Sequence, residues 1–221
     1  MFDLSSWQPC SRPTVQKLEG RTVTLEAFSA ADHAHDIWQA LGGDIGTNTR
    51  IKYFPDAPYR DATHFGETYQ AKQADWHTMV MRDAHWGIVR GMASYMRIRP
   101  EHGSIEIGAV AHGDAMARSP MSTEAHYLLA KHIFDDLGYR RYEWKLNNDN
   151  TPSHKSAVRL GFTFEGTFRQ DMITPTGSRD TAWYSMLDSE WPTRKAALEA
   201  WFAPENFSET GEQITKLEAF R

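Results

Sequence analysis

The run Ala117-Arg118-Ser119-Pro120-Met121-Ser122-Thr123 opens a strongly periodic apolar stretch, and its residue types suit the binding of an anion. A helix that begins there leaves its first backbone N–H groups without intrahelical partners and carries the positive end of the helix dipole. Such an end holds phosphate without needing basic side chains, and Arg118 adds a charge of its own. Pro120 removes one donor, so the N–H groups of Met121, Ser122 and Thr123 are the expected contacts. A second polar group stands where Asn147, Asn148 and Asn150 precede Thr151-Pro152-Ser153 and another helical pattern starts. Taken alone, Asn150 is a cap for that helix and Ser153 a first-turn serine. Other chemistry finds less support. The ten histidines do not fall at ligand spacing: His33 and His35 diverge on a predicted helix, as do His126 and His132, and no carboxylate or cysteine cluster joins them. Gly87 to Gly91 lacks the Lys-Ser/Thr of a phosphate loop, and Cys10 lacks a nucleophile's base.

The elements that must position these groups follow from periodicity. Arg21 to Phe28 alternates as a half-buried first strand, and Ser29 starts a helix whose stripe of Ile37, Trp38 and Leu41 ends at Gly42-Gly43. Pro55 and Pro58 mark an irregular loop before a second helix over 61–73. Strands are expected over 78–82 and 92–98, and after the turn Pro100-Glu101-His102-Gly103 a buried strand over 104–111. Residues 123–137 carry Tyr127, Leu128, Ala130, Ile133, Phe134 and Leu137 at helical spacing, with Gly138 as the terminating residue. A short strand over 142–146 and a helix over 151–160 closed by Gly161 come next. The strands 164–173 and 180–187 form a hairpin across Pro175-Thr176-Gly177-Ser178, and a helix over 193–202 with a polar tail follows. Strand-helix-strand-helix order at this length implies one parallel pair inside an otherwise antiparallel sheet. The expected organisation is an N-terminal extension over 1–16, one domain over 17–190, and a helical extension and tail over 191–221.

Composition sets the outer limits. A chain of 221 residues with 40% hydrophobic and 24% charged residues has one sizeable core. Eight tryptophans spread along it argue against disorder, and a formal charge of −5 argues against a nucleic-acid partner. The same charge is compatible with a cationic acceptor. One cysteine makes an intrachain disulfide impossible, and residues 1–13 lack the basic start and apolar run of a secretory signal. No stretch approaches the ~18 consecutive apolar residues of a membrane helix. A cytoplasmic protein is the expectation.

At the level of ordered motifs the chain resembles the GNAT superfamily of N-acetyltransferases, in its RimJ/RimL-like branch. Ile105-Glu106-Ile107-Gly108 is similar to that family's central strand, and Thr123-Glu124-Ala125 with Leu128-Leu129 to the opening of its coenzyme-binding helix. Asn150-Thr151-Pro152-Ser153, Leu160-Gly161-Phe162 and Glu165-Gly166 resemble its second coenzyme motif, and Leu18-Glu19-Gly20-Arg21 its first strand. The resemblance covers about 17–190. It implies an α+β GNAT fold, with a mixed, mostly antiparallel sheet flanked by helices and a splayed parallel strand pair. It also implies direct acyl transfer from acetyl-CoA, or another short acyl-CoA, to a primary amine of a small molecule or protein N-terminus, without a metal, by a monomer or homodimer.

The resemblance further places backbone contacts to the thioester at Ala109, Val110 and Ala111, and coenzyme contacts at Arg118, Ser119, Met121, Ser122, Thr123, Asn150 and Ser153. Two departures stand out. The family's pyrophosphate loop is glycine-rich and this one has no glycine; the tyrosine acid of many members is Ala157 here. Ser153 resembles the serine that acts as acid in the RimL-like branch. The glutamate base of that branch is replaced by Met172, with Asp171 on the opposite face of the strand. Glu106 and Asp180 are the remaining candidates, beside proton loss through a water chain. Two other functions fit the same residues. One is detoxifying acetylation of an aminoacyl-nucleotide or antibiotic amine; the other is a catalytically weak domain that binds coenzyme or protein.

Overall fold

Val23 and Leu25 are fully buried while Thr24 and Glu26, each following one of them, are only half-covered, and this alternation makes strand β2 (Val23–Ala27). The computed structural model describes residues 4–175 and 177–221. Where both sheet faces are covered, strands become apolar at successive positions. In β3 (His77–Asp83), Met79 and Met81 enter one core and Val80 the other. The remaining strands are β1 (Lys17–Glu19), β4 (Val89–Arg99), β5 (Ser104–His112), β6 (Arg141–Asn147), β7 (Thr163–Thr174) and β8 (Gly177–Leu187). They form one eight-stranded sheet in the order β1-β2-β3-β4-β5-β6-β8-β7. Among the described residues only β5 and β6 run parallel, which makes this the expected mixed α+β architecture.

One face carries α1 (Ala30–Ala40), α2 (Gly43–Arg50) and α3 (Ala62–Lys72), packed through Ile37, Trp38, Phe65 and Tyr69. Helix α3 is capped by Asp61, whose Oδ1 accepts the His64 N–H at 2.8 Å. A Cβ on Gly66 would sit 2.5 Å from the Ala34 Cβ, so α1 and α3 meet closely because that position has no side chain. The other face carries α4 (Pro120–Lys131), α5 (Thr151–Leu160) and α6 (Trp191–Trp201) over the larger core. Among the described residues no helix is long and apolar enough to cross a membrane.

Several elements depart from the expected boundaries for identifiable reasons. The first strand is a hairpin, because Gly20 turns the chain and the Glu124 carboxylate of α4 accepts the Arg21 and Thr22 N–H groups at 2.7 and 2.6 Å. Ahead of the irregular loop at Pro55 and Pro58 stands α2, which was not expected and which tertiary contacts support: Thr47 donates to the Trp38 carbonyl, and the Trp38 indole donates to Asp44. Helix α4 starts at Pro120 rather than Thr123 and ends in a π-helical turn over His132–Asp136. Strands β7 and β8 are longer than expected; Thr176 of the predicted turn lies outside the described residues.

Candidate active site at the strand splay

Strand β5 pairs with β6 only from Ser104↔Arg141 to Ile107↔Trp144. Beyond Ile107 the two strands part. On its other side β5 keeps pairing with β4, but the register jumps from Ser94↔Gly108 to Met92↔Ala111. Two residues, Ala109 and Val110, then oppose Ala93, and Ala109 takes up the bulge with φ of 48°. A bulge bends its strand and strengthens the local twist, so the β5 end swings away from β6 and opens a cleft.

That cleft has a volume of about 1250 Å³, above the usual few hundred to thousand cubic ångströms of small-molecule sites. It is walled by the β5 end, the loop before α4, the first turns of α4 and α5, and part of the chain after 200. Of the predicted binding residues, Val110, Ala111, Arg118, Ser119, Ser122, Thr123, Asn150 and Ser153 line it. Ala109 and Met121 do not: Ala109 packs on the α1–α3 side and Met121 against the larger core.

The loop before α4 solves its turn without glycine. Arg118 adopts a left-handed conformation at φ of 63°, a geometry that costs a non-glycine residue free energy. Pro120 sits in the first turn, where its missing N–H costs nothing. Ser119 at the cap position makes no side-chain cap; its Oγ donates to the Met116 carbonyl at 2.7 Å, and Ser122 Oγ donates to the Ser119 carbonyl at 2.8 Å. Both hydroxyls are thus turned to backbone carbonyls, and the Ser122 N–H, one of the expected contacts, is itself committed to the Ser119 carbonyl at 3.2 Å. Lys155 and Arg159 of α5 face the same cleft, and Arg159 donates to Thr123 Oγ1 at 2.8 Å.

At the inner end, Asn150 Oδ1 accepts the Ser153 N–H at 3.3 Å and caps α5. The Trp144 indole N–H donates to Ser153 Oγ at 2.9 Å, which fixes the hydroxyl as an acceptor on that side. Its own proton has no protein acceptor among the described residues. The His126 ring lies tilted against Trp144 with centroids 5.1 Å apart, and His112 lies tilted against His126 at 5.4 Å. The Nε2 atoms of both histidines are buried without a hydrogen-bond partner among the described residues. Burial pushes His112 down to about 4 and His126 well below the ordinary imidazole range, so both are neutral at pH 7.

The two carboxylate candidates lie outside the cleft. Glu106 points from β5 to the sheet face opposite Ile105 and Ile107, where it is 4% exposed. Its Oε2 meets Lys145 Nζ at 2.5 Å and Arg97 Nε at 3.6 Å. Burial raises its pKa against the lowering pull of those two cations, and burial likewise lowers Lys145. Asp180 accepts the Gln170 N–H at 2.7 Å and so holds the bulge of β7, where Gln170 has φ of 53°. Among the described residues no three His, Cys, Asp or Glu side chains gather as a metal-ligand set. Trp183, Trp86 and Trp76 lie outside the cleft: Trp183 lies under Lys145 and Arg97, Trp86 is 69% exposed, and Trp76 packs against Tyr69.

Sequence reasoning missed His112, His126, Trp144, Lys155, Arg159 and Trp201. Part of this was readable. His112 shares a strand face with Val110, His126 follows Thr123 by one helical turn, and Ser153, Ser156 and Arg159 recur every three residues on one side of α5.

Residues 22–163 match the acetyltransferase (GNAT) domain family. The chain is 40% identical to a GCN5-related N-acetyltransferase from Brucella melitensis, covering 98% of this chain and 99% of that one, with a TM-score of 0.91. It is 32% identical to a probable acetyltransferase of the GNAT family from Chromobacterium violaceum ATCC 12472, over 87% and 96% of the two chains, at a TM-score of 0.80. A ribosomal-protein-S5-alanine acetyltransferase from Vibrio fischeri shares the fold at a TM-score of 0.61 and 16% identity, over 79% and 98% of the two chains. No curated protein matches the chain.

Proposed function

Because the chain belongs to the acetyltransferase (GNAT) family, we propose that it is an acyl-CoA-dependent N-acyltransferase with acetyl-CoA as donor. The acceptor is a primary amine on a small molecule or a protein N-terminus. One observation carries this reading. The bulged end of β5, the uncapped start of α4 and the Ser153 hydroxyl meet in one large cleft. The donor set fits a long anionic thioester: helix N–H groups with Arg118, Lys155 and Arg159 at one side, and small or apolar groups at the other. The finer RimJ/RimL-like assignment rests on the Asn150-x-x-Ser153 spacing.

Acetyl-CoA supplies an acyl carbon activated as a thioester. The start of α4 and the three cations hold its phosphates, and the β5 end beyond the bulge presents backbone to the pantetheine arm. The amine nitrogen forms a bond to the acyl carbon as the carbon–sulfur bond breaks; the nitrogen loses a proton and the sulfur gains one. Ser153 faces the departing sulfur with its Oγ–H, while Trp144 occupies a lone pair of the same oxygen. A serine hydroxyl is too weak an acid to give up its proton outright, so it passes one on from water or stabilises the thiolate by a hydrogen bond. Glu106 is the candidate to receive the amine proton on the opposite sheet face, through water. Asp180 is assigned to the β7 bulge instead.

The test is an amine panel incubated with acetyl-CoA, with free thiol release as the readout and thermal shift as the binding control. A ligand bound only to the native state stabilises by RT ln(1 + [L]/Kd), about 2.7 kcal/mol at a hundredfold excess over Kd. Acetyl-CoA and CoA are expected to raise Tm, and at least one amine to release thiol. No Tm shift at millimolar donor removes the reading. A shift without turnover for any amine favours a binding domain.

A further inference from the structure

Residues 201–213 form part of the cleft wall although they lie beyond the segment that matches the family. They are built for the place. Trp201 is 2% exposed and donates its indole N–H to Gln213 Oε1 at 3.0 Å. Phe207 pairs with Gln213 as an isolated antiparallel bridge, and its ring stands at 78° to Trp201, centroids 5.1 Å apart. Asn206, 6% exposed, ties the two ends of the loop: its Nδ2 donates to the Trp201 and Thr215 carbonyls, and its Oδ1 accepts the Thr215 N–H. Leu217 buries completely behind it. The loop is therefore anchored from both sides and is not a loose tail.

Its position opposite α5 defines what it meets. The Arg159 guanidinium lies 5.1 Å over the Trp201 ring while it donates to Thr123 at the start of α4. The phosphate-binding end of the cleft and the loop thus share one arginine. The loop residues at the cleft include Phe207, Glu212 and Gln213, which bring an aromatic ring, a carboxylate-bearing and an amide-bearing residue, and no cation is among them. A carboxylate repels phosphate but accepts hydrogen bonds from an amino group or hydroxyl, and an aromatic ring offers a base a surface. This is nucleoside chemistry.

Resting on the acyl-CoA reading, we propose that the 201–213 loop is the nucleoside wall of the donor site: Phe207, Glu212 and Gln213 contact the adenosine of coenzyme A and set the preference for CoA thioesters over shorter pantetheine thioesters. Lys155 and Arg159 hold the phosphates beside it.

The test compares acetyl-CoA with acetyl-pantetheine, which lacks the nucleotide, in the full chain. In Phe207→Ala, and separately in Glu212→Ala, the ratio of kcat/KM for acetyl-CoA to that for acetyl-pantetheine is expected to fall about tenfold, the size of one lost base–aromatic or charged hydrogen-bond contact. Gln213→Glu, which keeps the acceptor for Trp201 but removes the amide donor, separates nucleoside contact from loop folding; its ratio should fall as well. A ratio unchanged from wild type in all three variants, whether both donors weaken together or neither does, overturns the proposal. A wild-type protein that uses acetyl-CoA no better than acetyl-pantetheine also overturns it, while leaving the acyltransferase reading standing. A wild type that uses neither overturns both.

Discussion

At the scale of single residues, the site depends on where lone pairs and protons are already committed. Ser153 Oγ accepts from Trp144, so its remaining chemistry is donation. Ser153→Ala should therefore lower kcat by about tenfold to a hundredfold with little change in acetyl-CoA KM, because sulfur gains its proton only as the bond breaks. Steady-state kinetics check this, and an unchanged kcat makes Ser153 a helix-start residue. Glu106 is a harder case. Its ion pair with Lys145 favours the carboxylate, whereas burial favours the protonated form and wins. If it takes the amine proton, kcat/KM rises with pH through its raised pKa, and Glu106→Gln cuts kcat/KM by about 10²–10⁴-fold. Asp180→Asn is the comparison, since Asp180 serves the β7 bulge. A profile that tracks only the acceptor's own pKa in wild type and both variants assigns deprotonation to water.

At the scale of elements, two helix starts and one bulge make the cleft. Helix α5 depends on Asn150 for its cap, and Asn150 also faces the cleft. The roles separate by substitution. Aspartate caps as well as asparagine does, but it lacks the amide donor and adds a charge. Asn150→Asp should hold Tm near wild type while raising acetyl-CoA KM several-fold, and Asn150→Ala should cost about 1 kcal/mol of stability as well. Denaturant melts beside steady-state kinetics measure both. An Asn150→Asp enzyme with wild-type KM makes Asn150 a cap only. The spacing Asn150-x-x-Ser153 and the closing Gly161 made α5 visible in advance, because caps and left-handed terminators are local chemistry. Helix α2 was not visible, since its support comes from Trp38 and Asp44 meeting in the folded chain.

At the scale of the whole molecule, the buried imidazoles at the cleft make stability depend on pH. His112 and His126 bind protons more weakly folded than unfolded. Below about pH 6.5 the unfolded chain takes up protons that the folded chain refuses, so stability falls as pH drops from about 6.5 toward 4. Replacing both by asparagine should flatten that part of the Tm–pH curve. Thermal melts across pH 4–8 check it, and an equally steep loss in the double variant shows that other groups govern the acid limb.

What the sequence alone determined is what short-range rules encode: strand alternation, helix caps, the strand-helix-strand order that forces a parallel pair, and the ordered motifs that place Val110, Ser122, Asn150 and Ser153 along one path. These are legible because each depends on neighbours within a few residues. Only the tertiary structure decided the rest. Glu106 reads as a free strand carboxylate until Lys145 arrives from the neighbouring strand. Arg118 reads as a loop charge until its left-handed backbone replaces the missing glycine. The polar tail reads as solvated chain until Asn206 and Trp201 fold it against the cleft. For Glu106 the deciding partner is dozens of residues away, for Arg118 the deciding feature is a backbone angle, and the tail is closed by irregular side-chain bonds among its own residues; none of these leaves a period or spacing in the chain.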